Sequence, residues 1–170
     1  MFSRKYMRLK DYGYSSNGCY FITICTKDRQ PLLSKIVGGA VLSVPKIQLP
    51  DIGRVSESYL ERMNIVLPNV SLLGYVIMPN HVHLLILIGG ETEGAQRTAP
   101  PTGFVTARTK ETIPRIVHGL KNVTTKKVGY SIWQRSYHDH IVRDEHDFLN
   151  IWNYIDENPL RWHNDCYYTE

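Results

Sequence analysis

The sequence predicts one domain of the α+β class, a single sheet with helices packed against it. Three observations lead there. The 170 residues are 42% hydrophobic and 21% charged, enough to bury one core. Segments with strand character and segments with helical spacing follow one another as strand, strand, helix, strand, helix, strand, helix. One irregular stretch interrupts them, residues 89–103, "GGETEGAQRTAPPTG". Its glycines, prolines and threonines predict a mobile loop inside a single domain spanning 1–170.

"GCYFITICT", 18–26, alternates and is rich in β-branched and aromatic residues, so it predicts a strand. "GGAVLSVPKIQL", 38–49, predicts a second, with Pro45 marking an edge or bulge. "PDIGRVSESYLERMN" carries Ile52, Val55, Tyr59, Leu60 and Met63 at helical spacing, with Asp51 as its N-cap. "VSLLGYVIMPNHVHLLILI" predicts one or two strands broken near Pro79. "TIPRIVHGLKNVTTKKV" has Ile113, Ile116, Val117, Leu120 and Val123 on one helical stripe. "SIWQRSYHDHIVRD" predicts a strand or hairpin edge. "EHDFLNIWNYIDENP" predicts a helix with Phe148, Ile151, Trp152 and Ile155 on its stripe and Pro159 as its stop.

No apolar run approaches the roughly 20 residues of a membrane helix. The opening "MFSRKYMRLKDYGY" has charges but no apolar stretch after them, unlike a secretory signal. The expected location is the cytoplasm. Cys19 and Cys25 lie in one predicted strand, roughly 20 Å apart, too far to bridge. With Cys166 they make an odd count without a CxxC pattern, as in a reducing compartment. Net charge is +4, compatible with a polyanion partner. Arg4, Lys5, Arg8 and Lys10 cluster at the start, interleaved with Tyr6 and Tyr12. Arg108, Lys110, Arg115, Lys121, Lys126 and Lys127 form a second group. A solvated basic surface accounts for either group equally well.

The informative stretch is "MPNHVHLLI", 78–86. His81 and His83 are two apart in a predicted strand, so they share one face while Val82, Leu84 and Ile86 take the other. Leu85 and Leu87 make the histidine face apolar too, so the strand is central and covered. Burying two unpaired imidazoles costs a few kcal/mol. A hydrogen bond from each ring to a carbonyl or carboxylate offsets that cost, and so does a divalent cation held by both. HxH alone does not choose.

Two further ligand sources are in view. His138 and His140 of "YHDH" would complete a four-histidine zinc set. Alternatively, Tyr154 and Asn158 lie four apart on the last helix, about 40° apart around it. The Asn158 carbonyl with two imidazoles makes a mixed N/O site suited to magnesium or manganese. Asn158 also reads as a helix cap before Pro159, and Tyr154 as one of 11 tyrosines at a core margin.

"MPNHVH" followed about 70 residues later by "YIDENPLRW" resembles the single-tyrosine HUH transposases of insertion sequences, closest to the REP-associated branch. "NGCYFITICTKDR" and "WQRSYHDHIVR" add to the resemblance, which covers roughly residues 8–165. It implies a ferredoxin-like α/β sandwich on an antiparallel sheet. It implies cleavage and rejoining of single-stranded DNA, with hairpin or REP-like elements as partners. His81 and His83 then bind a divalent metal, Mg²⁺ or Mn²⁺. Tyr154 is the nucleophile that forms a 5′-phosphotyrosine. Asn158 completes the metal site where relatives often carry glutamine. Relatives swing the tyrosine helix in cis or in trans, so monomer and homodimer both remain open. DNA contacts fall to Arg4, Lys5, Arg8 and Lys10, then to Lys121, Lys126 and Lys127. His138, Asp139 and His140 are expected to shape the floor of the site. Two alternatives stand beside this reading. One is a domesticated hairpin-binding protein that no longer cuts. The other is a zinc-dependent hydrolase built on the four histidines.

Overall fold

Strand β1 (Gly18–Cys25) alternates Tyr20, Ile22 and Ile24 with Cys19, Phe21 and Thr23, so it offers an apolar row to each side of the sheet it joins. The structure is a computed structural model that describes residues 18–38, 44–89 and 112–168. Arg4, Lys5, Arg8 and Lys10, and all of the 89–103 stretch except Gly89, lie outside the described residues.

The predicted break at Pro79 separates two strands, β4 (Val70–Ile77) and β5 (His81–Ile88). They pair antiparallel, and β5 also pairs antiparallel with β1. A bulge between Leu72 and Gly74 shifts the register, so Leu72 and Tyr75 reach the same core despite their odd separation. The turn between β4 and β5 is buried. Its carbonyls are satisfied: Leu33 N–H donates to Pro79 O at 2.9 Å, and Thr26 N–H to Asn80 O at 2.9 Å.

Strand β6 (His138–Val142) pairs with the other edge of β1. The sheet order is β4-β5-β1-β6, all antiparallel. Helix α1 (Asp51–Glu61) and the short α2 (Met63–Val66) connect towards β4, and α3 (Thr112–Val128) precedes β6. This is the βαββαβ order of a ferredoxin-like sandwich, as the resemblance implied. Helix α4 (Glu145–Glu157) follows β6.

One core lies between the sheet and α1 and α3. It takes Val82, Leu84, Ile86 and Ile88 from β5 and Ile113, Ile116, Val117 and Leu120 from α3. The opposite face takes Leu85 of β5 with Ile151 and Ile155 of α4 and Trp162. The parity expected of His81 and His83 therefore holds. They share their face with Leu85 and lie under α4.

Three expectations need correction. Residues 39–43 of the predicted second strand lie outside the described residues; of the rest only β3 (Lys46–Gln48) is strand, and it pairs with an unpredicted β2 (Lys35–Val37) in a separate two-stranded sheet. Only 138–142 of the 131–144 stretch is a strand. Earlier in that stretch, Trp133 forms only an isolated antiparallel bridge with Thr26, flanked by Lys27 N–H to Ile132 O at 2.7 Å and Gln134 N–H to Cys25 O at 2.9 Å, while its indole donates to Thr124 Oγ1 of α3 at 2.6 Å. Asp51 does not cap α1: Pro50 holds the N-cap position, and the Asp51 carboxylate pairs with Lys127 at 3.2 Å. Among the described residues, no helix is long and apolar enough to cross a membrane.

Candidate metal and nucleophile site

His81 and His83 stand side by side on β5, ring centroids 4.5 Å apart, and are 0% and 1% exposed. Each ring is held by its Nδ1. Thr23 is paired with His83 across the β1–β5 ladder, and its Oγ1 lies 2.8 Å from His83 Nδ1. Asn80 Oδ1 lies 2.8 Å from His81 Nδ1. The Asn80 amide is oriented by its nitrogen, which donates to Arg29 O at 3.2 Å and Tyr167 O at 2.6 Å. Its oxygen thus faces the ring, so His81 Nδ1 carries the hydrogen and Nε2 the lone pair.

Both Nε2 atoms are buried and have no hydrogen-bond partner. That is the arrangement of imidazoles prepared to ligate, since an unpaired buried polar atom costs about 1–3 kcal/mol. Burial pulls the His81 imidazolium down to about 4, partly opposed by the nearby Asp165 carboxylate. Burial, with His81 beside it, holds His83 well below its ordinary value too. Both rings are neutral, as metal ligands must be, through the physiological range.

Helix α4 brings the other groups. Asp144 caps it, accepting from Asp147 N–H at 2.8 Å. Ile151 and Ile155 anchor it on the sheet, which places Tyr154 and Asn158 towards the histidines. The Tyr154 ring is 5.1 Å from His83 and 6.0 Å from Phe21, which itself stacks on His83 at 5.1 Å. Tyr154 is 39% exposed, so its hydroxyl is reachable. Asn158 is 2% exposed and occupies the C-cap position, as its structural reading expected. Its Oδ1 is also buried without a partner.

Sequence reasoning missed Asp165. The chain leaves α4, turns through Trp162, and returns along the histidines. Tyr167 packs on His81 at 4.6 Å and Trp162 at 6.0 Å. Asp165 Oδ2 accepts from Asn158 Nδ2 at 3.1 Å and from the Tyr154 hydroxyl at 3.4 Å. Ligand atoms of His81, His83 and Asp165 lie within 4.8 Å of one another. Trans ligands on one hard cation are about 4–4.5 Å apart, so this set fits an ion with small adjustments. No periodicity or spacing flags Asp165, because it belongs to no regular element. Burial pushes the Tyr154 phenol well above its ordinary value, and the Asp165 charge adds to that. An open cleft of about 710 Å³ borders the group, lined by Asn150, Asn153, Tyr154, Asn158, Arg161 and Asp165 among others.

The four-histidine zinc set does not assemble. His140 on edge strand β6 turns to Asp147, Nε2 to Oδ2 2.7 Å, and His138 is exposed. Among the described residues, His81, His83 and Asp165 are the one such cluster. Lys121, Lys126 and Lys127 sit on α3, which packs on the sheet face opposite the histidines. Lys121 Nζ donates to the carbonyls of Gln134, Arg135 and Ser136, the first at 2.7 Å.

Residues 14–158 match the family described as IS200-like transposases. The chain belongs to the IS200-like transposases. An uncharacterized protein of Haemophilus influenzae is 34% identical over 98% of this chain and 94% of its own length. A second protein of that organism, provisionally named a REP-associated tyrosine transposase, is 27% identical over 50% of this chain and 47% of its own. A solved REP-associated tyrosine transposase bound to a REP hairpin superposes with a TM-score of 0.61 at 16% identity. That match covers 91% of this chain and 73% of the other. It supports the sandwich fold, and family membership makes the chain a DNA-processing enzyme of transposase type.

Proposed function

We propose that this chain cuts and rejoins single-stranded DNA through a covalent bond to Tyr154. The observation that carries the reading is the convergence of an exposed phenol with two buried, unpaired imidazole nitrogens and an unpaired amide oxygen. A phenol so strongly disfavoured as an anion is a poor nucleophile unaided. A divalent cation, Mg²⁺ or Mn²⁺, held by His81, His83 and Asn158 would supply Lewis-acid polarisation of a phosphodiester oxygen.

The chain's own residues do the rest. His81 and His83 stay neutral and are fixed by Asn80 and Thr23. Asp165 Oδ2 accepts from the Tyr154 hydroxyl and orients it. The Tyr154 oxygen attacks phosphorus and passes its proton to water in the open cleft. The phosphorus–O3′ bond breaks, and the leaving 3′ oxygen takes up a proton. The 5′-phosphotyrosyl ester keeps the energy of the phosphodiester, so a 3′-hydroxyl can reverse the step without ATP. A pure binding protein would have no use for orphaned imidazoles.

The solved relative bound to a REP hairpin supports hairpin DNA as the substrate class. Backbone contacts are assigned by charge to Arg4, Lys5, Arg8 and Lys10, with Lys126 and Lys127 second. The Lys127 pair with Asp51 is an exposed one that phosphate can displace. Lys121, engaged with three carbonyls, is the weakest of the set.

The test is a denaturing gel of the protein with labelled single-stranded hairpins from its own genomic flanks and Mg²⁺ or Mn²⁺. A slow, protease-sensitive band is expected, and Tyr154→Phe abolishes it. A mobility shift on a native gel without any covalent band would instead make the protein a hairpin binder.

A further inference from the structure

The family match ends at residue 158, and Asp165 lies beyond it. Nothing in the family assignment therefore gives this carboxylate a role. We propose that Asp165 is a metal ligand of this chain, delivered to the histidine pair by a C-terminal segment that Arg29 and Asn80 hold down. The proposal rests on the reading of His81 and His83 as metal ligands.

The first argument is charge. Two neutral imidazoles and one amide oxygen bring no negative charge to the site. A divalent cation taken out of water beside Leu85, Phe21 and Trp162 needs some. Asp165 supplies one unit, and a bound phosphodiester supplies the second. Among the described residues, no other carboxylate joins the histidines in a cluster.

The second argument is geometry. Oδ1 accepts from Tyr167 N–H at 2.7 Å, and Oδ2 accepts from Asn158 and Tyr154. Those donors, with the Cys166 thiol beside them, aim the carboxylate. Its oxygens already lie within ligand range of both rings.

The third argument is how firmly the segment is placed. Asn80 Nδ2 donates to Tyr167 O at 2.6 Å, and the Arg29 guanidinium donates to Cys166 O at 2.6 Å. The same guanidinium lies over the Tyr167 ring, 5.2 Å from its centroid. Asp28 and Arg29 both adopt left-handed backbone, φ 53° and 54°. That conformation costs energy in residues other than glycine. Here it presents Arg29 to a segment 137 positions away in sequence. Asn80 thus orients one ligand, His81, and tethers the strand of chain that carries another.

The experiment titrates the DNA-free protein with Mn²⁺ and reads free ion by its electron paramagnetic resonance signal. Wild type is expected to bind saturably. Asp165→Asn is expected to bind at least about tenfold more weakly while keeping a cooperative melting transition in EDTA. Arg29→Ala, which leaves the carboxylate intact but frees its segment, is expected to lose affinity in the same direction. Asp165→Asn binding within twofold of wild type overturns the proposal and leaves Asp165 as a group that only orients Tyr154 and Asn158. If Asp165→Asn does not fold, Arg29→Ala decides, and unchanged affinity there overturns it. Wild type with no saturable binding removes the metal reading itself, and this proposal with it.

Discussion

Asn80 looks like a turn residue in "MPN", yet its side chain is where the site is organised. One amide oxygen selects the tautomer of His81, and one amide nitrogen bridges two distant carbonyls. Asn80→Ala should therefore act on metal binding as well as folding. The expected loss is 10- to 100-fold in Mn²⁺ affinity, the usual effect of removing a partner that orients a ligand. Unfolding in denaturant should show about 1–3 kcal/mol less stability from the unpaired groups left behind. An affinity unchanged in Asn80→Ala would mean that the His81 ring needs no such support. At this scale period-two and period-four spacings placed the two histidines on one face and Tyr154 with Asn158 on another, while the roles of Tyr154 and Asn158 were read only from the family resemblance. Thr23 and Asp165 were not legible, since they act across gaps of sequence that no local period spans, and Asn80 was not, since its hold on Arg29 and Tyr167 spans such gaps too.

The helices read well because each has to bury a stripe, and a stripe has a period. Their termini and the short strands read poorly. Strands of three residues, as in β2 and β3, leave too little alternation to detect. The predicted β6 ran long because Trp133 and Tyr137 look like strand residues, whereas their burial is owed to packing in the core shared with α3. Helix α1 shows a tertiary demand overriding local preference. Gly53 sits inside it, where alanine would ordinarily gain about 1 kcal/mol. A Cβ at Gly53 would lie 2.1 Å from the Leu33 carbonyl oxygen, and that backbone is pinned by its N–H bond to Pro79 O. Gly53→Ala is therefore expected to destabilise by about 1–3 kcal/mol. Because Leu33 leans on the turn before His81, the strain would reach the site. Chemical denaturation decides between the two signs, and a stabilised variant would show that the Leu33 loop can move.

Across the whole molecule, the cost of two buried imidazoles appears as a dependence of stability on pH. Folded His81 titrates near 4 rather than near 6.5, and His83 is displaced in the same direction. Between those values the unfolded chain binds protons that the folded chain refuses. Stability in EDTA should thus fall as pH drops from about 6.5 towards 4, by up to about 1.4 kcal/mol per pH unit for each ring. Asp147, held below its ordinary value chiefly by its hydrogen bond to His140, adds its own loss only at lower pH. Urea midpoints at pH 7 and pH 5 make the comparison. Equal midpoints would mean that the rings charge freely in the folded state.

By itself the sequence determined the class of fold, the helices, the central strand with its paired histidines, and the tyrosine–asparagine face of the last helix. Those features are periodic, and periodicity survives in one dimension. It also carried the resemblance that family membership then bore out. Only the tertiary structure decided which histidines come together, that His140 turns to Asp147, and that α3 and its lysines lie across the sheet. It alone brought Asp165 back over β5. Sheet order and chain return set those contacts, through hydrogen bonds such as Arg29 to Cys166 that no spacing rule encodes.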